Sequence, residues 1–87
     1  MTKHLSSKCP VFVYKGYRGK KRLPRKSPSY MFLNETDKEG YFLLLARAWD
    51  EDEEMAFFYS EEITPEDLAK DFKVFKEMTI NEFIKAE

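Results

Sequence analysis

Residues 41–60, YFLLLARAWDEDEEMAFFYS, set two apolar runs on either side of five consecutive acids, Asp50 to Glu54. A continuous element cannot carry apolar surface through such a run without burying charge. Folded as a hairpin, the segment turns at DEDEE, with YFLLLARAW (41–49) and MAFFYS (55–60) as antiparallel strands. Alternation then puts Phe42, Leu44, Ala46 and Ala48 on one face, and Tyr41, Leu43, Leu45, Arg47 and Trp49 on the other. Two largely apolar faces suit a central strand covered on both sides. As a helix, Leu44, Ala48, Met55 and Phe58 would form a stripe, but Glu51 would lie among them and the acids would repel one another. The hairpin is the preferred expectation.

Two further strands precede it. PVFVYK (10–15) and YMFLN (30–34) are rich in β-branched and aromatic residues, and ETDKEG (35–40) reads as a turn closing on Gly40. After the hairpin the pattern changes. Thr64 suits an N-cap, Pro65 the first helical position, and Glu66 and Asp67 the positive end of the helix dipole. Leu68, Phe72 and Phe75, with Ala69 and Met78, give one helical face. Thr79 and Glu82 repeat a capping box, so the helical part (64–86) is expected to break near 78–79 and end in a short helix burying Ile80, Phe83 and Ile84. The fold class is α+β: an antiparallel meander of about four strands followed by one or two C-terminal helices packed on one face.

The 87 residues make a single domain, 1–87, whose core is small for its surface. One Trp, five Tyr and eight Phe supply enough apolar area to hold it without covalent staples. Cys9 is the sole cysteine, which excludes an intrachain disulfide and a multi-cysteine zinc site. Residues 1–9 read as a flexible polar arm. No signal-peptide core or membrane-length apolar run appears, so the expectation is a soluble, cytoplasmic protein in a reducing compartment, without membrane contact.

Charge is the second constraint. The net charge is −1, yet residues 1–34 hold nine Lys/Arg and no acid, while residues 35–87 hold six Lys/Arg and all sixteen acids. The cations concentrate in a loop at 15–29, KGYRGKKRLPRKSPS, kept from helix by Gly16, Gly19, Pro24 and Pro28. Lys15, Arg18, Lys20, Lys21, Arg22, Arg25 and Lys26 have the density of a phosphate-contacting surface, and Tyr17, with Tyr14 or Tyr30, could stack on exposed bases. The GYRG tetrapeptide is similar to the backbone-clamping loop of KH domains, but that loop joins two helices, and here the strand-like VFVY precedes it.

Catalytic machinery is hard to assemble from this chain. A metal site or a Cys–His or Ser–His pair would rest on His4, the only histidine, in the expected arm. The acids are plentiful, but exposed acids with ordinary pKa values do no acid–base work. No enzyme activity, metal or cofactor is expected. The expected function is a non-enzymatic nucleic-acid-binding or nucleic-acid-metabolism accessory protein that contacts RNA or DNA phosphates through the basic loop. The alternative is a protein-binding inhibitor or adaptor, of the accessory type found in viruses and mobile elements. It would dock on a basic partner protein through Trp49, Asp50, Glu51, Asp52, Glu53 and Glu54 and the helix start. Head-to-tail self-association, basic loop on acidic hairpin, is a third possibility. The relative position of loop and hairpin discriminates among these: side by side they neutralise each other, and apart they form two contact surfaces.

Overall fold

The computed structural model describes residues 7–19, 22–24, 26–35 and 39–85. Five strands and two helices follow in the order β1 (Cys9–Tyr14), β2 (Ser29–Glu35), β3 (Phe42–Asp50), β4 (Met55–Ile63), α1 (Pro65–Asp71), β5 (Phe72–Met78) and α2 (Ile80–Lys85). They form one antiparallel sheet ordered β4-β3-β2-β1-β5. The fold is α+β. The hairpin over 42–63 holds an unbroken register from Phe42 opposite Ile63 to Asp50 opposite Met55. Ser7 and Lys8 are exposed, and Cys9, where the expected arm meets the first strand, is fully buried as the first residue of β1.

Alternation along the strands builds two cores. On one face Cys9, Val11, Val13 and Met31 pack with Leu23, Met78 and Phe83, and Leu45 and Phe58 join the cluster. On the other, Tyr30, Leu44 and Ala46 pack with Leu68 and Phe72, beside Phe12, Phe32, Phe42 and Ile63. Both faces of β3 are thus used, as its sequence required. Each fully buried Phe or Leu contributes about 1.5–3 kcal/mol.

The segment 72–78 corrects the expected helix. Phe72 leaves the helix in an extended conformation (φ −127°, ψ 159°), and β5 runs antiparallel along β1. The register shifts so that Val11 faces Lys76 while Phe12 faces Val74, leaving Phe75 as a bulged extra residue. Phe72 therefore joins one core, and Phe75 and Met78 the other. A strand with one inserted residue shows apolar positions three apart, and that spacing imitates a helix. Tertiary pairing decides the matter: without β5, the outer edge of β1 would leave its backbone N–H and C=O groups bare. The sheet accordingly has five strands rather than about four.

The helices take opposite faces rather than the single face expected, because each face of the sheet is apolar and each needs cover. α1 places Leu68 against the Tyr30–Leu44 core, and α2 places Phe83 against the Val11–Met31 core. Their N-termini follow the expected chemistry. Thr64 Oγ1 accepts from the Asp67 N–H at 3.2 Å, and Pro65 opens α1. The Thr79–Glu82 box is reciprocal: the Thr79 N–H donates to Glu82 Oε1 at 2.8 Å, and the Glu82 N–H donates to Thr79 Oγ1 at 3.1 Å. These bonds hold the Glu82 carboxyl below its ordinary value.

Candidate functional site: the basic loop and the acidic turn

The basic loop leaves β1 and re-enters the sheet at β2, at the end where the β3–β4 turn also lies. A buried side chain anchors it. Leu23, only 3% exposed, inserts into the core of Cys9, Val11, Val13 and Met31. Tyr17 provides a second anchor: its ring packs on Phe75 at 5.8 Å between centroids, and its hydroxyl donates to the Arg22 carbonyl. A Cβ added at Gly19 would overlap the Tyr17 ring, so glycine is required there for the ring to seat. Backbone bonds from the Lys15 N–H to the Asp71 carbonyl (3.1 Å) and from the Tyr17 N–H to the Tyr14 carbonyl (3.0 Å) fix the exit from β1. Lys73 of β5 donates to the Tyr17 carbonyl.

Among the seven loop cations, Lys15, Arg18, Arg22 and Lys26 are exposed. Lys20, Lys21 and Arg25 lie outside the described residues. Tyr17 is half-buried and committed to packing, so it is a support for the loop more than a platform for bases. Tyr30 is buried, and burial together with a hydrogen bond to Tyr14 pushes its hydroxyl far above the ordinary range. Tyr14 takes the surface position instead. Its ring stacks on Phe72 (4.7 Å, 29°) and remains 42% exposed, directly before Lys15.

The acidic turn is built by Asp50, whose Oδ1 accepts from the Asp52 and Glu53 N–H groups at 2.9 and 3.2 Å. Glu51, Asp52, Glu53 and Glu54 are exposed, Asp50 and Trp49 half-buried. Glu54 closes the turn at φ 54°, in the left-handed region. The turn and the loop border the same concavity. Lys26 lines an open concavity of about 460 Å³ together with Trp49, Glu51 and Glu54. Lys26 thus stands on the side of the acids, where opposite charges partly neutralise each other, while Lys15 follows Tyr14 out of β1 and Lys73 reaches the Tyr17 carbonyl.

Sequence reasoning missed Leu23 and Lys73 as parts of this site. Leu23 had a signal, being the one large aliphatic residue between Val13 and Met31 in an otherwise polar loop. Lys73 had none, because its role depends on β5 pairing with β1. Among the described residues, no group of three or more His, Cys, Asp or Glu side chains could hold a metal. No helix among them is long and apolar enough to cross a membrane. The chain matches no protein-family model, curated protein or solved structure. Fold and site together define a small α+β domain whose sheet end carries a pinned cationic loop beside an anionic turn.

Proposed function

We propose that this chain is a non-enzymatic nucleic-acid-binding accessory protein of the cytoplasm, holding single-stranded RNA or DNA along the basic loop. The observation that carries it is the anchoring by Leu23 and Tyr17, which ties the loop bearing exposed Lys15, Arg18 and Arg22 to the core, with the exposed ring of Tyr14 directly before Lys15. Ordering the loop before binding removes an entropic cost from the complex. The cations neutralise phosphates and Tyr14 stacks on a base. Sequence preference is weak, since no helix or strand of base-reading side chains accompanies them. Lys26 contributes less, because Glu51 and Glu54 stand beside it.

The test is fluorescence anisotropy with a generic single-stranded oligonucleotide over a salt series. With Lys15, Arg18 and Arg22 engaged, log K should fall against log salt with a slope of about −2. Combined alanine substitution of Lys15, Arg18 and Arg22 should flatten that slope. Binding that is insensitive to salt, or unchanged in the triple variant, refutes the loop as the site.

A second reading draws on the acidic turn. The Asp50 carboxylate bridges the Asp52 and Glu53 N–H groups across it, and its exposed acids continue into the exposed Met55 and Phe57 of β4. A protein with a basic surface would dock there, as an adaptor's or inhibitor's target. Charge reversal at Glu51, Asp52 and Glu53 should release that partner, and retention counts against it.

A further inference from the structure

Edge strands expose a row of unpaired backbone groups, and proteins usually blunt them. The two edges of this sheet are treated differently. β5 is bulged at Phe75 and carries exposed Lys73, Lys76 and Glu77. β4 has nine residues, an unbroken register with β3, no proline, charge only at Glu61 and Glu62 near its C-terminal end, and β3 as its only strand neighbour among the described residues. Its Met55, Phe57 and Tyr59 side chains are 56%, 45% and 41% exposed, with the last two rings stacked at 6.0 Å.

We propose that β4 pairs antiparallel with β4 of a second copy of this chain, joining two five-stranded sheets across a two-fold axis. The strand's own sequence selects the register. Centring the axis on Tyr59 uses all nine residues and sets Met55 opposite Ile63, Ala56 opposite Glu62, Phe57 opposite Glu61 and Phe58 opposite Ser60. Every acid then faces an uncharged residue. Moving the axis to Glu61 would put Glu61 opposite itself, and like charges directly opposite are destabilising. Moving it toward Met55 shortens the ladder. Exposed aromatic side chains on one face of both copies become neighbours across the seam.

The ends of this ladder carry a signature. With Met55 opposite Ile63, the Glu51–Glu54 turn of one copy approaches Glu66 and Asp67 of the other, at both ends. Salt screens that repulsion, so the pairing strengthens as ionic strength rises. Nucleic-acid binding and loop-on-turn association both weaken. The pairing is independent of the nucleic-acid reading.

Sedimentation velocity of the full chain, from micromolar to millimolar concentration in low and high salt, is the first measurement. The mass should double, at lower protein concentration in the higher salt. Tyr59→Cys is the second. Residues self-paired on the axis have Cα atoms about 4.5–5.5 Å apart, within disulfide range, so mild oxidation should give a covalent dimer. The native Cys9 is fully buried and does not compete. Phe57→Cys should stay uncrosslinked, because its two copies stand roughly 13 Å apart along the ladder. Tyr59→Lys should shift the dimer toward monomer by setting two cations face to face. A wild-type chain that remains monomeric throughout, a mass that falls with salt, or Phe57→Cys crosslinking as readily as Tyr59→Cys overturns the proposal. A strand from a different protein as the true occupant would show as the first of these. The wild-type masses need no variant to fold.

Discussion

Leu23→Ala tests whether the basic loop is a docked part of the fold. Leu23 is 3% exposed and belongs to the buried cluster of Cys9, Val11, Val13, Met31, Met78 and Phe83, the centre of one core. Alanine removes three carbons, worth about 0.8 kcal/mol each in transfer from water, and leaves a cavity that adds to the cost. Leu→Ala series span about 2–5 kcal/mol. Because a loop can settle into the gap more easily than a strand, the expected loss is about 2–3 kcal/mol, at the low end of that span. A domain of this length holds only about 4–13 kcal/mol in all, so a large share of its stability is at stake. Urea unfolding should show a lower midpoint with an unchanged slope, and the thermal midpoint should fall by about 10–20 °C. Limited trypsinolysis gives a local readout. If the loss is felt as undocking of the loop, cleavage at its Lys and Arg residues should quicken by up to about 50-fold, the factor that 2.4 kcal/mol represents. Oligonucleotide affinity should fall as well, since the cations must then be ordered on binding. A stability loss under about 0.5 kcal/mol together with unchanged trypsinolysis refutes the anchoring.

Other substitutions probe separate elements. Gly19→Ala should expel the Tyr17 ring from Phe75, seen as loss of its near-ultraviolet dichroism and faster loop proteolysis; an unaltered spectrum refutes the packing. Glu54→Gly should stabilise by about 0.5–1 kcal/mol in urea, because glycine relieves the left-handed φ of 54°, and a lower midpoint counts against strain there. Thr79→Ala should cost about 1 kcal/mol by removing the cap of α2, read from the same titrations. The Glu82 carboxyl, held down by its bond from the Thr79 N–H, is depressed in the folded state below its ordinary 4.5. Its contribution is therefore complete above 4.5 and lost as pH falls through the folded value. Glu82→Gln should flatten that acid limb, and an identical acid limb in the variant refutes the linkage.

Much of the fold was legible along the chain. The acid run favoured a turn over a continuous helix, and the alternation of β3 announced cover on both faces. Thr64–Pro65 and Thr79–Glu82 marked helix starts, because capping is chemistry within a few residues. Segment 72–78 was not legible: its apolar spacing of three fits a helix as well as a bulged strand. Only the unpaired edge of β1 discriminates between them, and that edge lies some sixty residues earlier in the chain. The site shows the same division. The cations and acids were plain in the sequence, but which tyrosines reach the surface was not. Tyr14, Tyr17 and Tyr30 are alike by composition, and their burial depends on Phe72 and Phe75, contributed by the strand that was missed.

Local chemistry, then, determined the hairpin, the caps, the segregation of charge and the α+β class, because each arises from neighbours within one element. Tertiary structure alone decided that a fifth strand closes the far edge of the sheet, that Leu23 ties the basic loop into the core, and that Lys26 shares a concavity with Glu51 and Glu54. Those outcomes come from groups far apart in sequence competing to bury apolar area and satisfy backbone hydrogen bonds, a competition settled only when the whole sheet is assembled.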